Sequence, residues 1–452
     1  MPPPTAKLPP GPRARYPGQH LVSFARDRLG FLRSLATYGD IAHIRLGNQH
    51  FVILNNPEYT KQILVTDNRN FTKGRGLERA KVLLGEGLLT SEGAFHLRQR
   101  RLAQPAFHRE RIEGYARVMV EHAARTRDRW IDGAAIDIHQ EMTRLTLGIA
   151  GKTLFDADVE GESREIGESL TAAFDVFNLA LLPFSELMDH LPLPWTLRFK
   201  AARRRLDDTI FRIIAERRAR LGDRGDLLSM LMAAQDTEGD GGRMTDSQLR
   251  DEIMTILLAG YETTANALTW TAYLLSRNPD AEARMHAEVD SALEGQLPGM
   301  ADVHRLPYTR MVFAESLRLY PPAWVLGYRA IKAFALGDYE IPSRTIVIMS
   351  PFITQRDARY FHDPEHFNPV RWTAEAVAER PRFTYFPFGG GPRQCIGEQF
   401  AWTEGVLLLA AIGQKWRLRL APEHTVALDP SFTLRPKGGM PMIAHLRPGR
   451  PE

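Results

Sequence analysis

The period of the apolar positions changes along the chain, and each change marks a different kind of element. From about 40 to 55, IAHIRLGNQHFVILNN alternates apolar and polar residues around Gly47-Asn48. Side chains alternate across a strand, and Gly-Asn suits a tight turn, so this stretch predicts a β-hairpin. From about 57 to 220 the pattern is mostly helical. Segments 109–131 and 198–220 carry apolar residues three and four apart, among many Arg and Glu.

The stretch 245–277 predicts one long helix. Thr245 and Gln248 form a capping box, and apolar residues follow at Leu249, Ile253, Ile256, Leu257, Leu268 and Leu274. Arg277-Asn278-Pro279 ends it. At about 1.5 Å per residue it is roughly 50 Å long, and it is apolar on most sides, so it should be buried. The run Ala259-Gly260-Tyr261-Glu262-Thr263-Thr264 interrupts that pattern in its middle.

Further on, 305–319 predicts a helix that stops at Pro321-Pro322. From about 324 to 350, short apolar runs broken by Gly, Asp and Pro read as strands. Residues 380–397 read as loop, 398–413 as helix, and the tail from 415 as short strands. Helix dominates, so the fold class is α-rich α+β. There is no internal repeat and no low-complexity linker, which favours one domain over 1–452. Residues 1–15 form a proline-rich arm, expected to be extended because proline disfavours helix.

Composition adds limits. The 452 residues are 44% hydrophobic and 25% charged, enough to build a sizeable core. A net charge of +4 is too mild to point to nucleic acid. No run of about 18 apolar residues and no signal-peptide core is present, so a cytoplasmic protein without a membrane anchor is expected. The single cysteine, Cys395, excludes an internal disulfide and fits a reducing compartment.

That cysteine lies in Phe388-Gly389-Gly390-Gly391-Pro392-Arg393-Gln394-Cys395-Ile396-Gly397. The glycines permit unusual backbone angles and the close approach of a flat ligand. The helix start after Gly397 and the charge of Arg393 both favour a thiolate. Phe388 can cover the sulfur. The plainer alternative is a structural cysteine in a glycine-rich turn.

The string resembles the haem-binding loop of the cytochrome P450 superfamily, Phe-x-x-Gly-x-Arg-x-Cys-x-Gly, and matches it at Phe388, Gly391, Arg393, Cys395 and Gly397. Other segments are similar to family motifs in the family's order, from about residue 9 to the end. Glu315-Ser316-Leu317-Arg318 resembles Glu-x-x-Arg, and Phe367-Asn368-Pro369-Val370-Arg371-Trp372 supplies the third member of that structural lock. Ala259 to Thr264 resembles the oxygen-activation motif. His96 to Arg100 resembles Trp-x-x-x-Arg with His96 in the Trp position. The resemblance implies that His96, Arg100 and Arg329 hold haem propionates, while Arg393 gives its charge either to the thiolate or to a carboxylate of the bound group. It implies a mainly helical, triangular domain with a small β-rich region. It places haem b (iron protoporphyrin IX) between the long helix and the cysteine loop, with the Cys395 thiolate as metal ligand.

The activity implied is a monooxygenase that activates dioxygen and hydroxylates or epoxidises a hydrophobic small molecule, of the fatty acid, terpenoid or steroid class. Thr263 is expected to hydrogen-bond the activated dioxygen, and Glu262 to relay protons from solvent. A peroxide-driven peroxygenase of the family is one alternative, though such members typically carry Arg and Pro where this chain has Glu262-Thr263. A haem sensor or electron carrier is another. Only eight residues precede Pro9-Pro10-Gly11-Pro12, which in microsomal members follows a membrane anchor, and no reductase follows. Electrons are therefore expected from a separate ferredoxin or flavodoxin with its NAD(P)H reductase. The arginines of 96–111, among them Arg98, Arg101, Arg109 and Arg111, are its expected docking surface.

By family analogy the substrate pocket draws on 72–94, on Phe174, Phe177, Leu181 and Leu182, on Gly260, on Ala323 to Leu326 including Val325, and on Phe432 with Thr433. Asp207-Asp208 resembles part of an acidic diphosphate-binding motif but lacks its third acid, since Phe211 stands there. A solvated helix face is expected instead.

Overall fold

The structure, a computed structural model, describes residues 7–156, 193–219, 224–236 and 241–448. The chain divides into two compact units, each assembled from separated stretches of sequence. One comprises 1–78, 317–366 and 373–395, and the other 79–316, 367–372 and 396–452.

The first unit is built on a five-stranded mixed sheet. The hairpin predicted around Gly47 forms, with Ile41–Leu46 antiparallel to Gln49–Leu54. Gly47 sits at φ 57°, the left-handed region that a tight turn requires. Gln49–Leu54 then pairs in parallel with Ile346–Met349. Leu326–Ala330 follows antiparallel, and Phe71–Lys73 forms the far edge. Val52, Leu54, Leu64, Val347, Met349 and Phe386 bury against one another on this sheet. Phe386 begins the cysteine loop, so the sheet core is the loop's platform. Part of the proline-rich arm lies on the hairpin, where the His43 N–H donates to the Pro10 carbonyl at 2.7 Å.

In the same unit, Arg318 is fully buried and donates to the carbonyls of Gln355, Pro364 and His366 at 2.8, 2.6 and 3.2 Å. The Gln355 side chain in turn donates to the Leu317 and Arg318 carbonyls, while its Oε1 accepts from the Phe386 N–H at 3.1 Å.

The second unit is helical. Its central helix runs Asp246–Arg277, with Thr245 and Gln248 making the predicted capping box. Around it stand Gly93–Ala103, Arg109–Asp128, Ile138–Phe155, Pro194–Ala219, Pro279–Leu293 and Glu398–Gly413. A three-stranded antiparallel sheet joins Ala135–Asp137, Pro441–Leu446 and Trp416–Leu420, and Leu428–Pro430 pairs with Leu434–Pro436. Glu315 is fully buried here and binds three groups of the downstream motif. Its carboxylate accepts from the Asn368 N–H at 3.0 Å and from Trp372 Nε1 at 2.9 Å, and lies 3.3 Å from Arg371. The expected partner Arg371 is present, and Asn368 and Trp372 share the work.

Candidate active site

The cysteine loop is a tight fold of backbone. The Gly389 N–H donates to the Phe386 carbonyl, the Gln394 N–H to Gly391 and the Cys395 N–H to Phe388, each at 3.0 Å. Gly389 and Gly391 adopt φ 69° and 66°, a region where a Cβ is strained. At Gly391 a Cβ would also lie 2.0 Å from the Leu64 carbonyl oxygen, so the loop presses directly on neighbouring backbone. These contacts turn the Cys395 side chain to the exposed side of the loop, with Phe388 and Arg393 half-buried near it in sequence.

The central helix changes character at 259–263. Of its 32 residues, 21 are buried, yet Ala259 is exposed and Gly260 and Thr263 are only half-buried. These three share one face at i, i+1 and i+4. A Cβ on Gly260 would meet no protein atom within 4 Å. Thr263 Oγ1 donates back to the Ala259 carbonyl at 2.7 Å.

The neighbouring polar residues of the motif turn inward. Thr264 is buried and hydrogen-bonds Glu404, a fully buried carboxyl just before the apolar run of the helix Glu398–Gly413. Burial pushes Glu404 up to about 8, against the pull of that hydrogen bond. Glu262 is also buried, and Thr433 Oγ1 donates to its Oε1 at 2.6 Å. Burial pushes Glu262 up to about 7, opposed by the Thr433 bond and Arg435 and aided by Asp429. Both carboxyls are therefore protonated over much of the range near neutrality.

The helix Gly93–Ala103 carries buried His96 and half-buried Arg100 on one face. Between them Gln99 donates to Glu252 Oε1 at 3.0 Å, and Glu252 Oε2 accepts from the Leu88 N–H at 3.0 Å. Arg329, on the strand Leu326–Ala330, already has a carboxylate: its Nε and Nη2 reach Glu78 at 3.0 and 2.9 Å. Ala323, Val325 and Phe432 are half-buried. Phe174, Phe177, Leu181 and Leu182 lie outside the described residues.

Two expectations need correction. Arg98 and Arg101 are not a freely solvated basic face, because both converge on Asp236, which is 3% exposed. Arg101 donates to both Asp236 oxygens at 3.0 and 3.1 Å, and Arg98 Nε lies 3.6 Å away. A carboxylate this deeply buried needs that compensation. Asp207 is likewise not on a solvated face, since it accepts from the buried Arg250 at 2.7 Å.

The cytochrome P450 family model matches residues 9–441. The cyclooctatin synthase of Streptomyces melanosporofaciens is 43% identical over 92% of this chain and 91% of its own length. From the same organism, cyclooctat-9-en-7-ol 5-monooxygenase is 36% identical over 95% and 93%. The pentalenene oxygenase of Streptomyces avermitilis is 36% identical over 90% of each. The crystal structure of the cytochrome P450DA haem domain superposes at TM-score 0.89, with 28% identity and 98% of both chains covered, which bears out the α-rich α+β class. No helix among the described residues is long and apolar enough to cross a membrane. With the family's haem carried on a cysteine thiolate and one cysteine in the sequence, this chain belongs to the cytochrome P450 family and is a haem-dependent monooxygenase.

Proposed function

We propose that this monooxygenase hydroxylates or epoxidises a terpenoid, with Cys395 as the axial thiolate and Glu262 and Thr263 as the proton-handling pair. The names of the three relatives support the terpenoid class over the fatty acid and steroid classes. That is the observation carrying the substrate reading.

The residues present fit haem. Cys395 offers an exposed sulfur from a loop whose glycines a side chain would disrupt. Ala259, Gly260 and Thr263 offer a flat patch of small residues on a helix otherwise buried. His96 and Arg100 share a face from which both can donate to one propionate. Arg393 supplies charge beside the cysteine. Arg329 is the weakest member of the set, because Glu78 already engages it. Haem held by the Cys395 thiolate would supply a redox-active iron made electron-rich by the sulfur, the chemistry that dioxygen activation needs.

The chain's own part is to place protons and keep water out. Thr263 stands at the exposed helix face, and its hydroxyl already donates to Ala259. A hydroxyl that can exchange that carbonyl for another acceptor can steady a reacting oxygen. Glu262, buried with its pKa near neutrality, can give and regain a proton at the working pH. Gly260, Ala323, Val325 and Phe432 contribute small or apolar surface to the substrate, with Phe174 and Phe177 as further candidates. Electrons come from a separate ferredoxin or flavodoxin with its NAD(P)H reductase. Arg109, 83% exposed and paired with the exposed Glu113 at 3.6 Å, is the more accessible cation for docking, where Arg98 and Arg101 are engaged by the buried Asp236.

The test is a titration of the haem absorbance band with a cyclic terpene alcohol, a long-chain fatty acid and a steroid, followed by product analysis. The terpene alcohol is expected to shift the band at the lowest concentration and to gain one oxygen atom. Tighter binding and oxygenation of the fatty acid or steroid would overturn the substrate reading. Cys395→Ser is expected to abolish thiolate-ligated haem and the activity together.

A further inference from the structure

Glu262 ends a chain of side-chain hydrogen bonds that its motif does not foretell. Thr433 Oγ1 donates to Glu262 Oε1 at 2.6 Å. Asn266 Nδ2 donates to Thr433 Oγ1 at 3.0 Å. His139 Nε2 lies 3.1 Å from Asn266 Oδ1. An amide oxygen only accepts, so Nε2 carries the hydrogen and donates. Burial lowers the His139 pKa despite the opposing pull of Asp137 and the Asn266 bond, so the ring is neutral near pH 7. Every link is thus a donor aimed towards Glu262.

Three elements meet in this chain. His139 is in the first turn of Ile138–Phe155, Asn266 lies one turn after Glu262 on the central helix, and Thr433 immediately precedes Leu434–Pro436. Asn266 and Thr433 are buried, and His139 is half-buried. The amide link decides what the chain can do. An amide N–H is too weakly acidic to pass a proton along readily, so this is not a proton wire. It is an orienting device. With Oε1 occupied as an acceptor, the proton of the neutral carboxyl belongs on Oε2. That oxygen is buried and has no hydrogen-bond partner among the described residues.

We propose that Thr433, Asn266 and His139 are positioning residues for Glu262, holding Oε1 as acceptor so that Oε2 is the oxygen that hands on a proton. The proposal rests on the reading of Glu262 as the proton donor. The charged and titratable groups around the carboxyl leave room for this. Arg435 and Asp429 act in opposite directions and bond each other at 2.7 Å, and Tyr261 is the adjoining residue on the helix. Thr433 therefore supplies the directional contact.

The experiment uses the full-length holoenzyme. Infrared difference spectra of the resting protein across pH, with E262Q to assign the band, report the Glu262 carboxyl without turnover. T433V is expected to move the C=O band to higher frequency and its titration upwards, because the ionised form loses a donor. T433S should restore both. N266L, which keeps Thr433 in place, should move them the same way by less, and stands in should T433V not fold. In turnover, T433V is expected to lower product per electron consumed several-fold, and T433S to recover it. An unmoved carboxyl band in both T433V and N266L, or altered substrate affinity with unchanged coupling, overturns the positioning role. If E262Q itself leaves coupling unchanged, the proton-donor reading fails. If E262Q uncouples and T433V does not, the positioning proposal alone fails.

Discussion

Thr264 hydrogen-bonds the buried Glu404, while Thr263, one residue earlier on the same helix, returns its hydroxyl to the Ala259 carbonyl at 2.7 Å. Adjacent helical residues point about 100° apart, so two threonines that look equivalent in sequence serve different surroundings.

The two should therefore fail differently. Thr263→Ala is expected to leave haem and substrate binding intact while product per electron falls about fivefold and peroxide rises, the factor that goes with one net hydrogen bond of about 1 kcal/mol. Thr264→Ala should keep coupling and lose about 1–3 kcal/mol of stability, because Glu404 keeps its burial and loses a partner. Oxygen and electron accounting, with chemical unfolding of each variant, separates them.

The buried carboxyls should make stability fall as pH rises past neutrality. Burial raises Glu404 to about 8 and Glu262 and Glu252 to about 7, all from an ordinary 4.5. Between about 4.5 and 8 these carboxyls therefore bind more protons in the folded protein than in the unfolded chain. His43 and His286, lowered by burial from 6.5 to about 4 and about 3, act the other way below 6.5, so the net decline falls between about 6.5 and about 8. Below 4.5 the contribution is complete. Each tenfold gain in proton affinity on folding is worth about 1.4 kcal/mol, so the combined loss reaches at least a few kcal/mol. Glu404→Gln should flatten the decline in denaturation midpoint between about pH 6.5 and about pH 8. An unchanged slope contradicts the assignment.

Gly391→Ala should cost more than an ordinary glycine replacement. Its φ of 66° alone costs about 1–2 kcal/mol, and its Cβ meets a backbone oxygen that cannot rotate away. Gly18, at φ 83° with nothing within 4 Å, isolates the conformational part. Haem content should drop in Gly391→Ala and hold in Gly18→Ala.

Charge reversal at Arg101 should destabilise the fold before it reports on any electron donor. A glutamate there faces the buried Asp236 and removes one of its two arginines, which should cost about 1–3 kcal/mol because Arg101 itself is partly exposed. Adding Asp236→Asn should recover part of the loss in a denaturant titration. Arg109, 83% exposed, can be reversed without this penalty and is the cleaner probe of docking.

Local signals carried much of the fold. The hairpin, the capping box at Thr245 and the helix Glu398–Gly413 each follow from residues within one turn or one period of each other. Three-residue strands escaped that kind of reading. Ala135–Asp137 sits in a stretch read as mostly helical and exists because Pro441–Leu446 pairs with it. The helices Gln19–Arg26 and Arg28–Ala36 also went unpredicted after the proline-rich start. In the site, the motif residues were visible, and their partners were not. Thr433 is 171 positions from Glu262 and Asp236 is 135 from Arg101, and no periodicity spans such distances. Glu404 could have been found, as an acid just before an apolar helical run.

The bond from the Phe386 N–H to Gln355, whose own amide caps the carbonyls of Leu317 and Arg318, bears on how the protein acquires its cofactor. Amides buried in such a network open only with large cooperative units, so Phe386 should rank among the slowest to exchange with deuterium even in haem-free protein. The glycine-rich turn beyond it is closed by its own backbone bonds, from Gly389 to Phe386, Gln394 to Gly391 and Cys395 to Phe388. Haem capture then meets a loop already shaped on a foundation already built, and little conformational entropy is left to lose on binding.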